Sequence, residues 1–114
     1  MAIIKNGNFT SGSVLFWDEP EANINPTNYP IIAEMLLQLE RDGVQIFVAT
    51  HDYYFAKYLE IRKTINDNII YHALYSKGSH VLCEHAHTFE GLSNNAIIDQ
   101  SIRMYKEEIA KVMK

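Results

Sequence analysis

The chain contains a short apolar run that ends abruptly in acidic residues. Residues 14–17 are apolar, Asp18 and Glu19 follow directly, and Pro20 closes the run. A short apolar run bounded by chain breakers is typical of a strand buried on both faces, as in a parallel sheet covered by helices. Such strands place polar residues at their carboxyl ends, where open α/β sheets bind ligands. Two carboxylates at this position are costly unless something pairs with them, and a magnesium ion with a phosphate chain would do so.

A helical segment and a second apolar strand follow. Asn25 and Pro26 form a helix start signal, and Gly43 is a typical helix stop. Residues 44–49 form another apolar run, which ends in Thr50 and His51. A strand, a helix and a second strand in this order predict a right-handed parallel crossover. The apolar residues at helical spacing between the two strands are Ile31, Ile32, Met35, Leu36 and Leu39.

The remainder of the chain predicts a helix, a hairpin and a final helix. Asp52 is a suitable cap for a helix after the second strand. Residues 69–75 are predicted to form a strand, residues 76–79 a turn and residues 80–87 a returning strand, which makes an antiparallel hairpin. The final helix is predicted from Ala96 onward, with one apolar face formed by Ile98, Ile102, Tyr105, Ile109 and Val112.

Composition limits the class of protein. The 114 residues, 47% apolar and 21% charged, suit one soluble globular domain or part of one. A net charge of -4 gives no indication of nucleic-acid binding. No apolar run is long enough for a membrane segment, no signal peptide is apparent, and a single cysteine, Cys83, excludes an internal disulfide. We therefore expect a cytoplasmic location.

Two segments resemble a known ATPase family. Residues 13–26 read SVLFWDEPEANINP. They resemble the Walker B strand, catalytic glutamate and D-loop of an ABC-type ATPase, in the AAA-family branch of ABC/SMC-like ATPases that carries DEPEAN followed by NP. Residues 44–51 read VQIFVATH and resemble the H-switch strand of the same family. The resemblance covers residue 12 to about residue 60. It implies an α/β fold, a partial P-loop NTPase domain with parallel strands, flanking helices, a C-terminal hairpin and a final helix.

The resemblance also implies a role for each of three site residues. Asp18 is expected to hold Mg²⁺, through a coordinated water. Glu19 is expected to orient or deprotonate the water that attacks ATP. His51 matches the H-switch position, where the imidazole contacts the terminal phosphate and senses its loss.

The D-loop of the family crosses to the opposite protomer, and residues 22–25 match it. Asn23 and Asn25 are therefore expected to contact nucleotide, although Asn25 stands where many D-loops have an aspartate. Thr50 is expected to position the His51 loop. Glu21, just before the D-loop, is expected to contact the D-loop region, with no assigned role.

The P-loop lysine and the signature motif of the family do not occur in this sequence. Gly7 and Gly12 have P-loop spacing, but Ser13 and Val14 follow where Lys-Ser or Lys-Thr is required. The chain therefore resembles the C-terminal part of an ATPase domain, which we expect to bind ATP poorly and to hydrolyse it slowly or not at all. Measurable Mg²⁺-ATP turnover that Glu19→Gln abolishes would contradict this expectation. Expected partners are the missing N-terminal ATPase lobe or a second copy, as in a homo-oligomer.

Other interpretations remain open. The chain could be a non-catalytic interaction module that binds partners through an exposed sheet edge. It could also be a small metal-dependent phosphohydrolase that uses the acidic pair and His51 directly. Cys83, His85 and His87 alternate and could hold zinc, but paired Cys-x-x-Cys spacing is absent, and a polar hairpin is the preferred interpretation.

Overall fold

The computed structural model describes residues 12–113 and is a mixed α/β structure. It separates into two compact units, Met1–Asp67 and Asn68–Lys114. The first unit contains β1, a 3₁₀ turn, α1, β2 and α2. The second contains β3, β4 and α3. The bounds are β1 Val14–Asp18, the turn Pro26–Asn28, α1 Tyr29–Arg41, β2 Gln45–Ala49, α2 Tyr53–Arg62, β3 Tyr71–Lys77, β4 His80–Ala86 and α3 Ala96–Val112.

The predicted parallel crossover is confirmed. β1 and β2 pair in parallel, from Val14 opposite Gln45 to Asp18 opposite Ala49, and α1 connects them. The carboxyl ends of the two strands therefore lie side by side. Helices α1 and α2 pack together on the sheet, around a core of Leu15, Tyr29, Leu36, Val44 and Phe55.

The prediction that the first strand is buried on both faces is wrong. Leu15 is buried, but Val14 and Phe16 on the opposite face of β1 are exposed. Phe16 stacks on Phe47 of β2 with ring centroids 4.9 Å apart, and the two side chains are 68% and 47% exposed. The reason is that the helices of this unit cover only the face of the sheet that carries Leu15. The apolar run therefore has one buried face and not two.

The helix boundaries follow the predicted capping chemistry. The side chain of Asn25 accepts a hydrogen bond from the Thr27 N–H at 3.0 Å and begins the 3₁₀ turn. Gly43 has a φ of 93° just after α1, a conformation that glycine adopts without strain. Asp52 caps α2 by accepting from the Phe55 N–H at 3.1 Å.

An ion pair joins the end of α1 to the last residue of the first unit. Arg41 donates to both carboxylate oxygens of Asp67, from Nε at 2.9 Å and from Nη2 at 2.8 Å. The Thr64 N–H donates to the same carboxylate at 2.7 Å. These hydrogen bonds, led by that from Arg41, hold the pKa of Asp67 well below its usual range.

The second unit contains the predicted hairpin and final helix. β3 and β4 pair antiparallel, from Tyr71 opposite Ala86 to Lys77 opposite His80. Gly78, with a φ of 65°, forms the turn between them. The buried Asn95 caps α3: its Oδ1 accepts from the N–H groups of the first turn, while its Nδ2 donates to the Phe89 carbonyl at 3.2 Å.

In the described part of the chain, every helix is too short or too polar to span a bilayer. The turn predicted over residues 1–12, with Gly7 of the P-loop-like spacing, lies outside the described residues except for Gly12.

Candidate functional site

The carboxyl ends of β1 and β2 bring Glu19 and His51 together. Asp18 lies opposite Ala49, and the Glu19 N–H donates to the Ala49 carbonyl at 2.7 Å, so the strands stay paired one residue beyond β1. Glu19 Oε1 and His51 Nδ1 are then 3.1 Å apart. Their side chains are 44% and 81% exposed, so the pair is open to solvent and to a ligand. The structure thus joins the two residues that the sequence predicts to be catalytic.

The turn after β1 has an unusual backbone. Glu19 and Asn23 have φ values of 52° and 64°, in the left-handed region that residues with a side chain seldom adopt. The turn is closed by the Ala22 N–H, which donates to the Glu19 carbonyl at 3.0 Å, and by the buried Pro20. A left-handed non-glycine residue costs on the order of 1–3 kcal/mol, and such residues cluster at functional sites. Here the strained residue is the one that meets His51.

Glu21 and Thr50 connect the two loops that carry this pair. Glu21 is only 7% exposed, and its Oε1 accepts a hydrogen bond from Thr50 Oγ1 at 2.6 Å. Thr50 Oγ1 in turn accepts from the Asp52 N–H at 3.1 Å. The second carboxylate oxygen of Glu21 is buried and has no hydrogen-bond partner among the described residues. This bond therefore fixes the turn after β1 against the loop after β2.

A second hydrogen bond, which is partly buried, supports the His51 loop from the helices. The Tyr29 hydroxyl donates to Asp52 Oδ2 at 3.1 Å, while Asp52 Oδ1 caps α2. Burial of Tyr29, followed by its hydrogen bond to Asp52, raises the pKa of the phenol. Asp52, the residue after His51, is thus hydrogen-bonded to both helices, to α1 through Tyr29 and to α2 through Phe55.

Signals for these supporting residues are weak in the sequence. The expectation that Thr50 positions the His51 loop agrees with its bond to Glu21. The sequence assigns no role to Glu21 and does not predict the contact of Tyr29. When β1 and β2 are aligned in parallel, Glu21 and Thr50 follow neighbouring strand ends. A parallel alignment of the two strands in the sequence could therefore have predicted the Glu21–Thr50 hydrogen bond.

The other predicted site residues lie near this pair but do not join it. Asp18 is exposed at the end of β1, and Asn23 is exposed in the turn. Asn25 Oδ1 accepts from the Thr27 N–H at 3.0 Å and from Thr27 Oγ1 at 2.9 Å, so its oxygen is engaged in capping. Within the described residues, neither asparagine shows a side-chain hydrogen bond to the acidic pair or to the histidine. A role for both in nucleotide contact stays a prediction.

The donor set suits a magnesium–phosphate ligand. Among the described residues, no group of three or more His, Cys, Asp and Glu side chains could hold a metal ion by itself. Mg²⁺ bound with a nucleotide needs only one or two protein carboxylates, because water and phosphate oxygens supply its other ligands. Asp18, exposed at a strand end and followed directly by Glu19, fits that requirement.

The hairpin brings one cysteine close to one histidine. Cys83 Sγ is 3.9 Å from His72 Nδ1, and His72 lies opposite His85 with ring centroids 6.0 Å apart. His87, which the sequence grouped with Cys83 and His85, follows the end of β4. The histidine in contact with Cys83 is therefore His72, from the other strand.

One comparison with known proteins gives a match. Residues 8–57, less than half of the chain, match the family described as "AAA domain, putative AbiEii toxin, Type IV TA system". The matched segment contains β1, α1, β2 and the start of α2, and so includes the Glu19–His51 pair. The match supports a relationship to the P-loop AAA-type ATPases. No curated protein and no solved structure gives a significant match.

Proposed function

We propose that the first unit is the catalytic half-site of an ABC-type, ATP-hydrolysing switch. The observation that carries the proposal is the contact of Glu19 Oε1 with His51 Nδ1 at 3.1 Å. It lies at the carboxyl ends of two parallel strands, where α/β proteins bind ligands. The family match over the same segment supports the nucleotide as ligand.

Each residue of the half-site has a distinct role in this proposal. Asp18 holds the magnesium ion through a coordinated water, and the ion neutralises phosphate charge when it is bound. Glu19 orients the attacking water and accepts its proton. His51 donates a hydrogen bond to an oxygen of the terminal phosphate. Because phosphoryl transfer depends on positioning and charge stabilisation, these few groups are sufficient for one side of a site.

The supporting contacts explain how the pair is held while it is exposed. Thr50 and Asp52 are the neighbours of His51 in the sequence. Thr50 is hydrogen-bonded to Glu21, and Asp52 is hydrogen-bonded to Tyr29. The loop that carries the histidine is therefore fixed at both neighbours, while the imidazole itself is 81% exposed. An exposed imidazole on a loop that is held in place by hydrogen bonds is suited to contact a ligand and to sense its loss.

The direct test is a titration of the chain with Mg²⁺-ATP, followed by NMR. We expect weak binding that shifts the amide signals of residues 18–22 and 50–52 and leaves those of β3 and β4 unchanged. Asp18→Asn should remove the dependence on magnesium, and His51→Ala should weaken the shifts. His80→Ala, an exposed histidine in the other unit, is the matched control. Shifts confined to the second unit, or equal with and without Asp18, would contradict the proposal.

Partners of this half-site form part of the proposal. A missing N-terminal ATPase lobe, or a second copy of the chain, would supply the phosphate-binding loop and the signature motif. The nucleotide would then lie between the two components.

The second candidate function is a non-catalytic interaction module, favoured by the exposed aromatic face of the sheet. Phe16 and Phe47 stack on each other and remain largely exposed, beside the exposed Val14. Exposed apolar patches of this kind mark contact surfaces. Under this alternative, Phe16→Ser abolishes binding to a partner while Glu19→Gln does not affect it. Under the catalytic proposal, Glu19→Gln abolishes ATP hydrolysis by the assembled site, whereas Phe16→Ser does not.

A further inference from the structure

Helix α3 presents an apolar stripe that its own unit does not cover. No residue of α3 is buried in the described structure. Ile102, Tyr105, Ile109 and Val112 are between 44% and 78% exposed, and Ile98 at the start of the helix is half-buried. The five residues are spaced 4, 3, 4 and 3 apart, which is the a/d spacing of a coiled coil. We call these five residues the α3 seam.

Charged residues flank the seam in a self-complementary order. In heptad terms, Asp99 and Lys106 occupy e positions on one flank, and Ser101 and Glu108 occupy g positions on the other. Two copies of α3 can pack antiparallel about a two-fold axis that passes between residues 103 and 104. In this register Asp99 of each copy lies beside Lys106 of the other. Two opposite-charge pairs form in one dimer.

Other arrangements of the same helices lack this complementarity. In a parallel pair, g positions meet e positions, so Ser101 faces Lys106 and Glu108 faces the apolar Met113. An antiparallel pair shifted by one heptad places Lys106 against Lys106 and Glu108 against Glu108. Like charges in these positions are unfavourable, so the charge pattern selects the first antiparallel register.

We propose that α3 is a homodimer interface, in which it packs antiparallel on α3 of a second copy of this chain. Ile102 of each copy then packs on Tyr105 of the other, and Ile98 on Ile109. The 17-residue helix is about 25 Å long, so the interface is small and the dimer should be weak. The proposal does not depend on nucleotide binding, because no seam residue lies in the first unit.

The test uses charge-reversal variants of the full chain in sedimentation equilibrium, from about 10 µM to about 1 mM protein, which spans weak dimers. Asp99→Lys alone and Lys106→Asp alone each place two like-charge pairs in the dimer. Each should raise the Kd about tenfold, and this increase should shrink in about 1 M NaCl. An equimolar mixture of the two variants should form a heterodimer of wild-type affinity, because both pairs are complementary again.

Controls on the same helix separate the seam from general changes in charge or hydrophobicity. Glu107→Lys changes the charge at a position away from the flanks and should leave the Kd unchanged. Ile109→Gln should abolish the dimer, whereas Met104→Gln, at an exposed apolar residue outside the seam, should not. All of these substitutions are at exposed positions, so circular dichroism should show the wild-type fold.

Three results would overturn the proposal. The first is a wild-type chain that stays monomeric over the whole concentration range. The second is a dimer that neither charge reversal weakens, since it would use another surface, such as the aromatic face of the sheet. The third is a mixture of the two variants that binds no better than either variant alone, since this would exclude the antiparallel pairing.

Discussion

At the scale of single residues, the site combines an exposed reactive pair with buried support. Glu19 and His51 are in contact and open to solvent. Glu21, in the turn after β1, is buried and accepts a hydrogen bond from Thr50. A buried carboxylate is expensive unless it is hydrogen-bonded, so this bond should contribute measurably to stability.

The Thr50 hydroxyl provides a test of this support. Thr50→Val keeps the shape of the side chain but leaves a buried oxygen of Glu21 without its donor. We expect the free energy of unfolding to fall by about 1–3 kcal/mol, the usual cost of an unsatisfied buried group. Thr50→Ser keeps the hydroxyl and should cost less than about 1 kcal/mol. Urea unfolding of the two variants measures the difference, and equal stability of the valine variant and the wild type would contradict the account.

The left-handed conformation of Asn23 provides a second test. Asparagine tolerates a φ of 64° better than alanine does, and glycine adopts it freely. Asn23→Ala should therefore destabilise the chain by about 1 kcal/mol, while Asn23→Gly should stay within about 0.5 kcal/mol of the wild type. Thermal unfolding of the pair separates backbone strain from loss of the amide. Equal destabilisation by both substitutions would show that the amide matters instead.

At the scale of elements, the local chemistry of the sequence predicted more than the long-range packing. Asn25, Gly43 and Asp52 end or begin helical segments where predicted, because capping depends on neighbours in sequence. The number of buried faces of β1 was not predictable, because it depends on which elements cover the sheet. The Glu21–Thr50 bond joins residues 29 positions apart, and it appears only once β1 and β2 are aligned.

The α1 helix is tied to the end of the first unit in a pH-dependent way. Because Arg41 and Thr64 hold the pKa of Asp67 well below its usual range, the carboxylate stabilises the folded state above the unfolded pKa of about 3.9. The contribution is lost as the pH falls below about 4 towards the lower, folded-state pKa. We expect Asp67→Asn to be less stable than the wild type at pH 7, with a smaller difference at pH 3.

Urea unfolding at the two pH values measures this change. Asp42→Asn, which removes an exposed carboxylate at the end of the same helix, is the matched control and should have a much smaller effect at pH 7. A difference between wild type and Asp67→Asn that is the same at both pH values would contradict the role of the ion pair.

At the scale of the whole molecule, the two units carry different features. The first contains the candidate catalytic half-site and the whole segment similar to an AAA domain. The second contains the hairpin and the α3 seam. Nucleotide binding and self-association should therefore respond to separate substitutions.

The central claim is that a metal–nucleotide complex binds where β1 and β2 end. Mn²⁺ replaces Mg²⁺ at oxygen ligands and broadens nearby NMR signals, so titration with Mn²⁺-ATP locates the metal directly. We expect the broadening to be strongest at Asp18, Glu19 and His51, and Asp18→Asn to remove it there. Broadening centred on His72, Cys83 and His85 of the hairpin, or unchanged in Asp18→Asn, would contradict it.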